Sequence, residues 1–470
     1  MSFHTLIKKL PLLLMLLMFG QACRKQFLDA KPSTTLLVPT TLTDFQVLLD
    51  NIGVFGLVPT LGEASADNYF FPFQTWQSLD TREHNAFVWA SDIFEGQGGQ
   101  LDWNTPYQQV FYANVVFDGL SNIKYNPDSI AEWKTVEGSA HFLRAFAYYN
   151  LAQVFAPQYD STTASSMQGL PLRWHSEITL SARSKLSETY DQILHDLDSA
   201  EMYLQGTGLN SNRNRPNWLS TKALRARVYL SMRNYRMARA AADAVLQQYS
   251  SLIDYNTIDP TKGLPFTMLN VETLYQASFL GQGVQQGITY PSVLLGGFYP
   301  NTRIDPGLIR SYDSNDLRRA IYYHYKTDST SYLKGSYTGN VFPFGGLATD
   351  ELYLIRAEGA ARAGDVIDAM NDIDTLLTHR WKTGTFTACS VGSAAAALDT
   401  VLLERRKELA FRGLRWTDLR RLNAEGDTVT LVRRGLGQSY SLPPNSDLYT
   451  LPIPSDVINL NPYVTQNSRN

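Results

Sequence analysis

The stretch TKALRARVYLSMRNYRMARAAADAVLQQY, residues 221–249, decides the fold class. On either side of a short break its small and apolar residues recur at helical spacing, and they are Ala223, Ala226, Leu230, Ala238, Ala241, Ala242 and Val245. The break at Arg233 and Asn234 leaves room only for a tight turn. The stretch therefore predicts a helical hairpin, Thr221 to Met232 and Tyr235 to Tyr249, whose small residues let the two helices pack closely.

A second pair of helices is predicted further along the chain. It runs from Asp350 to Ala363, turns at Gly364 and Asp365, and resumes from Val366 to Arg380. Both pairs resemble tetratricopeptide units, but long insertions separate them, so any solenoid is interrupted. Three more helices are predicted, at Pro106 to Ile123, at Trp133 to Phe155 and, capped by Ser184 or Ser187, up to Leu204. The chain is expected to be mainly α-helical, with a few short strands in the insertions.

The composition is typical of a globular chain. Of 470 residues, 44% are hydrophobic and 18% are charged, which provides apolar surface for a large core and too little charge for a disordered tail. The 41 Lys and Arg residues against 44 Asp and Glu residues give a net charge of −3, and no long basic block occurs. The chain therefore lacks the electrostatic footprint of a nucleic-acid-binding protein.

The N-terminus resembles an export signal. Lys8 and Lys9 precede residues 10–19, which are apolar except for one proline. Such a run covers about 15 Å, half of a hydrocarbon core, so a membrane-spanning helix is the poorer interpretation. Ala22 directly before Cys23 resembles the lipobox of bacterial lipoproteins, which implies a signal peptide at 1–22 and a lipid on Cys23.

Residues 23–41 are rich in Pro, Ser and Thr and predict an extended tether between the lipid and the folded body. The two cysteines of the chain leave one alternative open. If Cys23 carries lipid, Cys389 is unpaired, whereas a disulfide between them would exclude the lipid anchor.

Two insertions between the predicted helices, at about 60–102 and 260–346, are rich in aromatic residues. From Tyr69 to Tyr112, 12 of 44 residues are Phe, Trp or Tyr, against 12% in the whole chain. Loops held by a rigid scaffold often carry function. Each ring could instead fill the core between loop and scaffold.

A sugar ring stacks its apolar face on Trp or Tyr, while its hydroxyl groups bond to Asp, Asn or Arg. A saccharide site therefore needs both kinds of residue close together. The two insertions supply this mixture, and the candidate ligand-binding residues are Glu63, Asp67, Asn68, Tyr69, Trp76, Tyr290 and Tyr299.

The sequence offers few candidates for catalysis. Glu404 and Glu408 lie four apart on one helical face, a spacing that could pair carboxylates for acid–base chemistry. A structural charge network is the favoured interpretation, because six arginines lie nearby, at positions 405, 406, 412, 415, 420 and 421. The seven histidines show no metal-ligand spacing, and no nucleophile or phosphate-loop motif occurs. We therefore expect no enzyme activity, no metal and no cofactor.

Four blocks of sequence carry a resemblance to a known family. They are CRKQFLDAKPSTTLLVPTTLTDFQVLLDN from Cys23, GSAHFLRAFAYYNLAQVF from Gly138, ERRKELAFRGLRWTDLRRL from Glu404 and LPIPSDVINLNPYVTQN from Leu451. In this order the blocks resemble the SusD/RagB outer-membrane lipoproteins of Bacteroidetes. The resemblance extends over nearly the whole chain. The chain departs from the family at position 412, where Arg412 precedes Gly413 and family members commonly have Glu. A salt bridge that such a Glu would form is therefore not expected here.

The resemblance implies a SusD-like fold in which residues 42–470 form a single domain, with tetratricopeptide-like pairs at about 104–250 and 348–412. It also implies a lipoprotein at the outer-membrane surface. Such a protein captures a glycan or oligosaccharide and passes it to a SusC-like TonB-dependent transporter. Family members take ligand residues from loops in the two aromatic regions, at positions that no motif fixes.

Three alternatives stay open. The RagB branch of the family suggests a peptide ligand with the same transporter partner. A surface glycoside hydrolase would use Glu63 and Asp67 as its acids, and release of reducing sugar would reveal it. A structural adaptor would use the helical repeats for protein contacts alone, and Trp76→Ala would then leave function intact.

Overall fold

The computed structural model describes residues 39–124, 126–209, 211–279, 302–325, 331–426 and 428–469. The predicted signal peptide, the lipid attachment at Cys23, nearly all of the tether, and Tyr290 and Tyr299 lie outside these ranges. A compact unit begins at Thr41. Among the helices of the described ranges, none is both long enough and apolar enough to cross a membrane.

Helices dominate the regular structure. In chain order they are α1 (Leu42–Leu49), α2 (Ile52–Phe55), α3 (Leu61–Ser65), α4 (Phe73–Gln77), α5 (Thr81–Phe87), α6 (Leu101–Leu120), α7 (Ile130–Phe155), α8 (Leu186–Tyr203), α9 (Trp218–Ser231), α10 (Tyr235–Leu246), α11 (Pro306–Arg310), α12 (Arg318–Tyr322), α13 (Thr349–Arg362), α14 (Val366–Thr378), α15 (Ala394–Glu408), α16 (Arg415–Asn423) and α17 (Ser455–Leu460). The predicted mainly α-helical fold is confirmed.

The strands are short and lie in and around the insertions. They are β1 (Leu57–Val58), β2 (Tyr69–Phe70), β3 (Thr273–Tyr275), β4 (Ser278–Phe279), β5 (Arg303–Ile304), β6 (Tyr323–Tyr325), β7 (Ser331–Leu333), β8 (Leu347–Ala348), β9 (Leu431–Arg433) and β10 (Tyr440–Leu442). β1 and β4 pair in parallel. The pairs β2–β5, β3–β8, β6–β7 and β9–β10 are antiparallel.

The two predicted helical hairpins are present and pack on each other. α9 and α10 form the first, α13 and α14 form the second, and α10 lies against α13. Gly359 in α13 allows this close approach, because a Cβ atom there would lie 2.6 Å from the Cβ of Arg239 and 2.9 Å from the carbonyl oxygen of Tyr235. The interrupted repeat therefore continues in space across the long insertion between α10 and α13.

The turn of the first hairpin lies where the sequence predicts it. Arg233 adopts the left-handed conformation with a φ of 61°. The side chain of Asn234 accepts a hydrogen bond of 3.3 Å from the backbone N–H of Met237 and so caps α10. The Arg-Asn pair thus reverses the chain and begins the second helix.

α6 begins at Leu101, and Pro106 lies early in the helix, as predicted. The first turn of α6 also stabilises the start of α3. Asp102 in that turn accepts hydrogen bonds from the backbone N–H groups of Thr60 (2.5 Å) and Leu61 (2.9 Å). The buried carboxylate therefore satisfies the N-terminus of α3, the helix that leads into the aromatic insertion.

The start of α8 corrects the predicted cap. The helix begins at Leu186 and its N-cap residue is Lys185, so neither Ser184 nor Ser187 caps it. The carboxylate of Glu188 instead accepts a hydrogen bond of 2.8 Å from the backbone N–H of Lys185. This is the Glu half of a capping box, which stabilises a helix start without a Ser at the cap position.

The structural interpretation of Glu404 and Glu408 is confirmed. Arg318 donates to Glu404 (2.6 Å) and to Glu408 (2.9 Å), and Arg380 donates to Glu408 (2.7 Å). All four side chains are buried. Lys407, three positions along the same helix, also donates to Glu404 at 2.6 Å, whereas none of the six arginines beside the two glutamates in sequence is among these partners.

Arg412, the residue that departs from the family pattern, forms an ion pair of its own. It donates to Asp350 at 3.1 Å, and its guanidinium lies 4.6 Å from the ring centres of both Tyr337 and Phe344. Cys389 is half-buried and forms no disulfide with another described residue, and Cys23, its partner in the disulfide alternative, lies outside the described ranges.

Candidate functional site

Segments that are far apart in the chain meet at a cleft of about 580 Å³. The walls come from the turn before β2, from β2 itself, from α5, from the start of α11 and from the end of β9. The lining residues are Asp67, Tyr69, Phe70, Phe71, Phe87, Asp305, Pro306, Val432, Arg433 and Arg434. The volume lies within the range of small-molecule binding sites, so the cleft is the candidate functional site.

The β2–β5 ribbon joins the two aromatic insertions at the cleft. Tyr69 pairs with Ile304 and Phe70 with Arg303. The backbone N–H of Asp305 continues the ribbon by donating to the carbonyl oxygen of Asn68 at 2.9 Å. The two regions that the sequence analysis singled out therefore form one structure.

Three aromatic rings form the floor of the cleft. Tyr69 lies 5.2 Å from Phe71 and 5.6 Å from Phe87 between ring centres, and Phe71 and Phe87 are 4.9 Å apart. The hydroxyl of Tyr69 donates to the carbonyl oxygen of Ala64 at 2.5 Å, and burial raises the pKa of this phenol. The rings are almost wholly buried, so the floor offers apolar edges to a ligand and no free ring face.

Arg433 holds β9 against the segment between α3 and β2. Its guanidinium lies 4.1 Å from the ring centre of Phe87 and 4.8 Å from that of Trp89. It donates to the carbonyl oxygens of Phe87 (3.1 Å) and Ala66 (2.5 Å). Burial lowers the pKa of Arg433. Backbone carbonyls and aromatic rings therefore surround this buried cation.

Asp67 lies at the edge of the cleft in an ion-pair cluster. Arg415 binds it with two nitrogens, at 2.6 and 2.9 Å, and Arg406 approaches to 3.3 Å. Burial acts to raise the pKa of Asp67, but the charges of Arg415 and Arg406 outweigh it and hold this pKa well below its ordinary value. The carboxylate is ionised and already bonded, so it has little capacity left for a ligand.

Glu63 and Asn68 lie behind the cleft. The amide of Asn68 donates to Glu63 at 2.8 Å, and the backbone N–H of Gly413 donates to Glu63 at 3.2 Å. Both side chains are buried, and burial raises the pKa of Glu63 to about 7. Through these hydrogen bonds, Glu63 and Asn68 connect the first aromatic insertion to the loop before α16.

Trp76 is part of the core and does not present a free ring face, which corrects the expectation of an exposed platform at this position. Its indole stacks on the His84 ring at 4.0 Å with an angle of 17° between the planes, and its N–H donates to the carbonyl oxygen of His84 at 3.2 Å. Only 6% of Trp76 is exposed. Phe73, at the start of the same short helix, is 39% exposed.

Of the predicted residues, Asp67 and Tyr69 line the cleft, whereas Glu63 and Asn68 support it and Trp76 lies elsewhere in the core. The sequence analysis missed eight lining residues, which are Phe70, Phe71, Phe87, Asp305, Pro306, Val432, Arg433 and Arg434. A signal for the last three exists in the stretch LVRRGLGQSYSL, residues 431–442, because two apolar runs flank a glycine-containing turn. This pattern predicts a hairpin but not its position beside β2.

One group of carboxylates in the described ranges has the spacing of a metal site. Oxygens of Glu272, Asp350 and Glu408 lie within 4.8 Å of one another. Arg380 donates to Glu272 (2.8 Å) and to Glu408 (2.7 Å), and Arg412 donates to Asp350 (3.1 Å). Because guanidinium groups already balance these charges, the group is a structural ion network.

Two family models match the chain. The model described as "Starch-binding associating with outer membrane" matches residues 26–230, and the model of the SusD family matches residues 347–469. The first match includes β2 and α5, and the second includes β9. Both therefore extend over walls of the cleft.

Curated relatives and solved structures that are similar to the chain include SusD-like proteins. The chain is 23% identical over 414 residues to the SusD-like protein P2 of Formosa agariphila, which covers 75% of this chain and 76% of that protein. A solved SusD superfamily protein of Bacteroides thetaiotaomicron has a TM-score of 0.72 and 21% identity, covering 91% of this chain and 100% of that one. A putative sugar-binding protein of Bacteroides vulgatus has a TM-score of 0.70 and 19% identity, covering 92% and 99%.

Proposed function

The chain belongs to the SusD/RagB family, and on that premise we propose that it captures an oligosaccharide in the cleft and delivers it to a SusC-like TonB-dependent transporter. The family consists of binding proteins without catalytic activity. Its members associate with the outer membrane. The lipid on Cys23 would anchor the protein there, facing the cell exterior.

The single observation that carries the ligand proposal is the composition of the cleft. Aromatic edges form its floor, while Asp305 and Arg434 supply polar groups at its rim. Asp305 is about one-third exposed and Arg434 is exposed, so both reach solvent. A sugar needs this combination of an apolar surface and hydrogen-bonding groups.

The energetics favour a ligand of more than one sugar unit. An apolar contact of about 100 Å² contributes roughly 2.5 kcal/mol at about 25 cal/mol per Å². Association costs at least about 4 kcal/mol, so a single contact cannot retain a ligand. The cleft of about 580 Å³ has room for more than one sugar unit, so a longer ligand can add contacts with the polar rim to its apolar contact at the floor.

The geometry argues against the hydrolase alternative. A glycosidase needs two carboxyl groups that face the scissile bond, one of which is free to protonate the leaving group. Glu63 is buried behind the cleft and bonded to Asn68 and Gly413, and Asp67 is held by Arg415. Neither carboxyl group is placed for that chemistry.

The test is ligand binding to the purified full chain in detergent, measured by calorimetry with neutral, uronate-containing and sulfated oligosaccharides and with a peptide library. Phe70→Ala removes a half-buried ring from the cleft and should weaken oligosaccharide binding about tenfold, or about 1.4 kcal/mol. Phe111→Ala is the matched control, because this partly exposed ring lies on α6 outside the cleft. Peptide binding without oligosaccharide binding would replace the glycan proposal with the peptide alternative.

The partner proposal needs a separate test. Isolation of the lipidated chain from outer membranes should recover a barrel transporter in stoichiometric amount. The absence of a barrel protein from that preparation would contradict delivery to a SusC-like partner while leaving the ligand proposal in place.

A further inference from the structure

Counted together with the arginines that bond to its carboxylates, the cleft has four arginines against two aspartates, although the whole chain has a net charge of −3. Two carboxylates line it, Asp67 and Asp305. Arg415 and Arg406 balance them, because Arg415 binds Asp67 with two nitrogens and Arg406 lies 3.3 Å from Asp67 and 3.6 Å from Asp305. Any further cation at the cleft therefore adds uncompensated positive charge.

Arg433 is the first such cation. Its hydrogen bonds go to backbone carbonyl oxygens, among them those of Ala66 and Phe87, and it forms no ion pair with a carboxylate of the described residues. Carbonyl dipoles stabilise a guanidinium without cancelling its charge. Because Arg433 is buried, solvent screens its field less than it screens that of a surface arginine.

Arg434 is the second. It also lines the cleft, its side chain is exposed, and no carboxylate in the described part of the chain pairs with it. A guanidinium presents a planar set of N–H donors that fits a carboxylate or a sulfate through two parallel hydrogen bonds. Arg303, which pairs with the cleft residue Phe70 across the β2–β5 ribbon, is a further arginine without an ion pair among the described residues.

We propose that the cleft selects acidic oligosaccharides, and that Arg434 binds the anionic group of the sugar while Arg433 supplies a fixed positive field. The inference rests on the proposed glycan-binding function and specifies its ligand class. The anionic group is a uronate carboxylate or a sulfate ester, since both present coplanar oxygen pairs to a guanidinium. The aromatic floor would contact the apolar face of the same sugar.

The experiment compares three probes on the purified full chain by calorimetry: neutral oligosaccharides, oligouronates and sulfated oligosaccharides of matched length. The acidic probes should bind at least about tenfold more tightly than the neutral ones. This difference should shrink as the salt concentration rises, because the contact is electrostatic. The two acidic arms distinguish carboxylate from sulfate as the anionic group.

Arg434→Gln should weaken binding of the acidic probes about tenfold and binding of the neutral probes less than that, because a neutral sugar loses hydrogen bonds at this position but no ion pair. Arg434→Lys keeps the charge and should retain more affinity than Arg434→Gln. Arg236→Gln is the matched control, because Arg236 is an exposed arginine on α10 outside the cleft. Thermal unfolding of each variant verifies that it folds.

The possible outcomes test the acidic ligand class and the glycan-binding function separately. Equal binding of neutral and acidic probes, together with no effect of Arg434→Gln, would overturn the acidic-ligand inference and leave glycan binding intact. Failure of all oligosaccharides to bind would overturn the proposed function itself. Preference for acidic probes with full retention of affinity in Arg434→Gln would also overturn the role of Arg434.

Discussion

Glu63 shows how one buried residue makes the stability of the protein depend on pH. In the folded chain burial raises its pKa to about 7, whereas its ordinary value is 4.5. Between these two pH values the folded state holds a proton that the unfolded state has released. Rising pH therefore favours unfolding. Between pH 4.5 and about 7, titration of Glu63 lowers the free energy of unfolding by about 3 kcal/mol.

Glu63→Gln should remove this dependence, because the amide does not titrate and can still accept hydrogen bonds from Asn68 and Gly413. We expect the stability of the variant relative to the parent to rise by about 3 kcal/mol between pH 4.5 and pH 8. Urea unfolding at a series of pH values measures it. Gln108→Ala, an exposed change on α6 that removes no titrating group, should give a constant difference in the free energy of unfolding from the parent. If the free energies of unfolding of Glu63→Gln and the parent differed by the same amount at every pH, the raised pKa of Glu63 would be contradicted.

At the scale of single residues, the sequence predicted chemistry better than placement. Asp67 and Tyr69 were selected because acids and aromatics occur together, and both line the cleft. The partner that occupies Asp67 is Arg415, which lies 348 positions later in the chain. No local spacing encodes such a pairing, so the sequence could not show that the carboxylate is already bonded.

At the scale of elements, long helices were predictable and short strands were not. α9 and α10 contain several turns of small residues at a regular period, which is a strong local signal. β2 has two residues and β9 has three, too few for an alternating pattern to appear. Because these strands form walls of the cleft, the position and lining of the cleft could not be predicted from the sequence.

The contact between the two hairpins offers a test at this scale. Gly359→Leu should destabilise the protein by about 3 kcal/mol, because any side chain at this position overlaps Arg239 and the backbone of Tyr235. Leu favours helix over Gly, so helix propensity cannot cause the loss. Urea unfolding should show the lower midpoint.

Gly208→Leu is the control for that comparison, because a Cβ atom at Gly208 meets nothing within 4 Å. It should change stability by less than about 0.5 kcal/mol. Equal stability of Gly359→Leu and the parent would show that α10 and α13 do not approach as closely as the structure has them.

At the scale of the whole molecule, the helical scaffold and the ligand cleft are built from different parts of the chain. The helical pairs pack through repeated contacts between neighbouring helices, and the helical spacing of small residues predicted them. The cleft forms where the insertions meet the β9–β10 hairpin, so segments far apart in the chain supply its residues. Capture of ligand should therefore depend on the cleft alone, and retention at the membrane on the N-terminal cysteine alone.

Cys23→Ser tests this separation. The variant cannot carry a lipid on sulfur, so it should leave the outer-membrane fraction and appear among the released proteins. Its oligosaccharide affinity should stay within twofold of the parent, because the cleft residues lie between Asp67 and Arg434. Cys389→Ser, which changes the other cysteine, should remain in the membrane fraction. Fractionation followed by calorimetry on the released protein gives both readouts, and membrane retention of Cys23→Ser would contradict lipid anchoring at that residue.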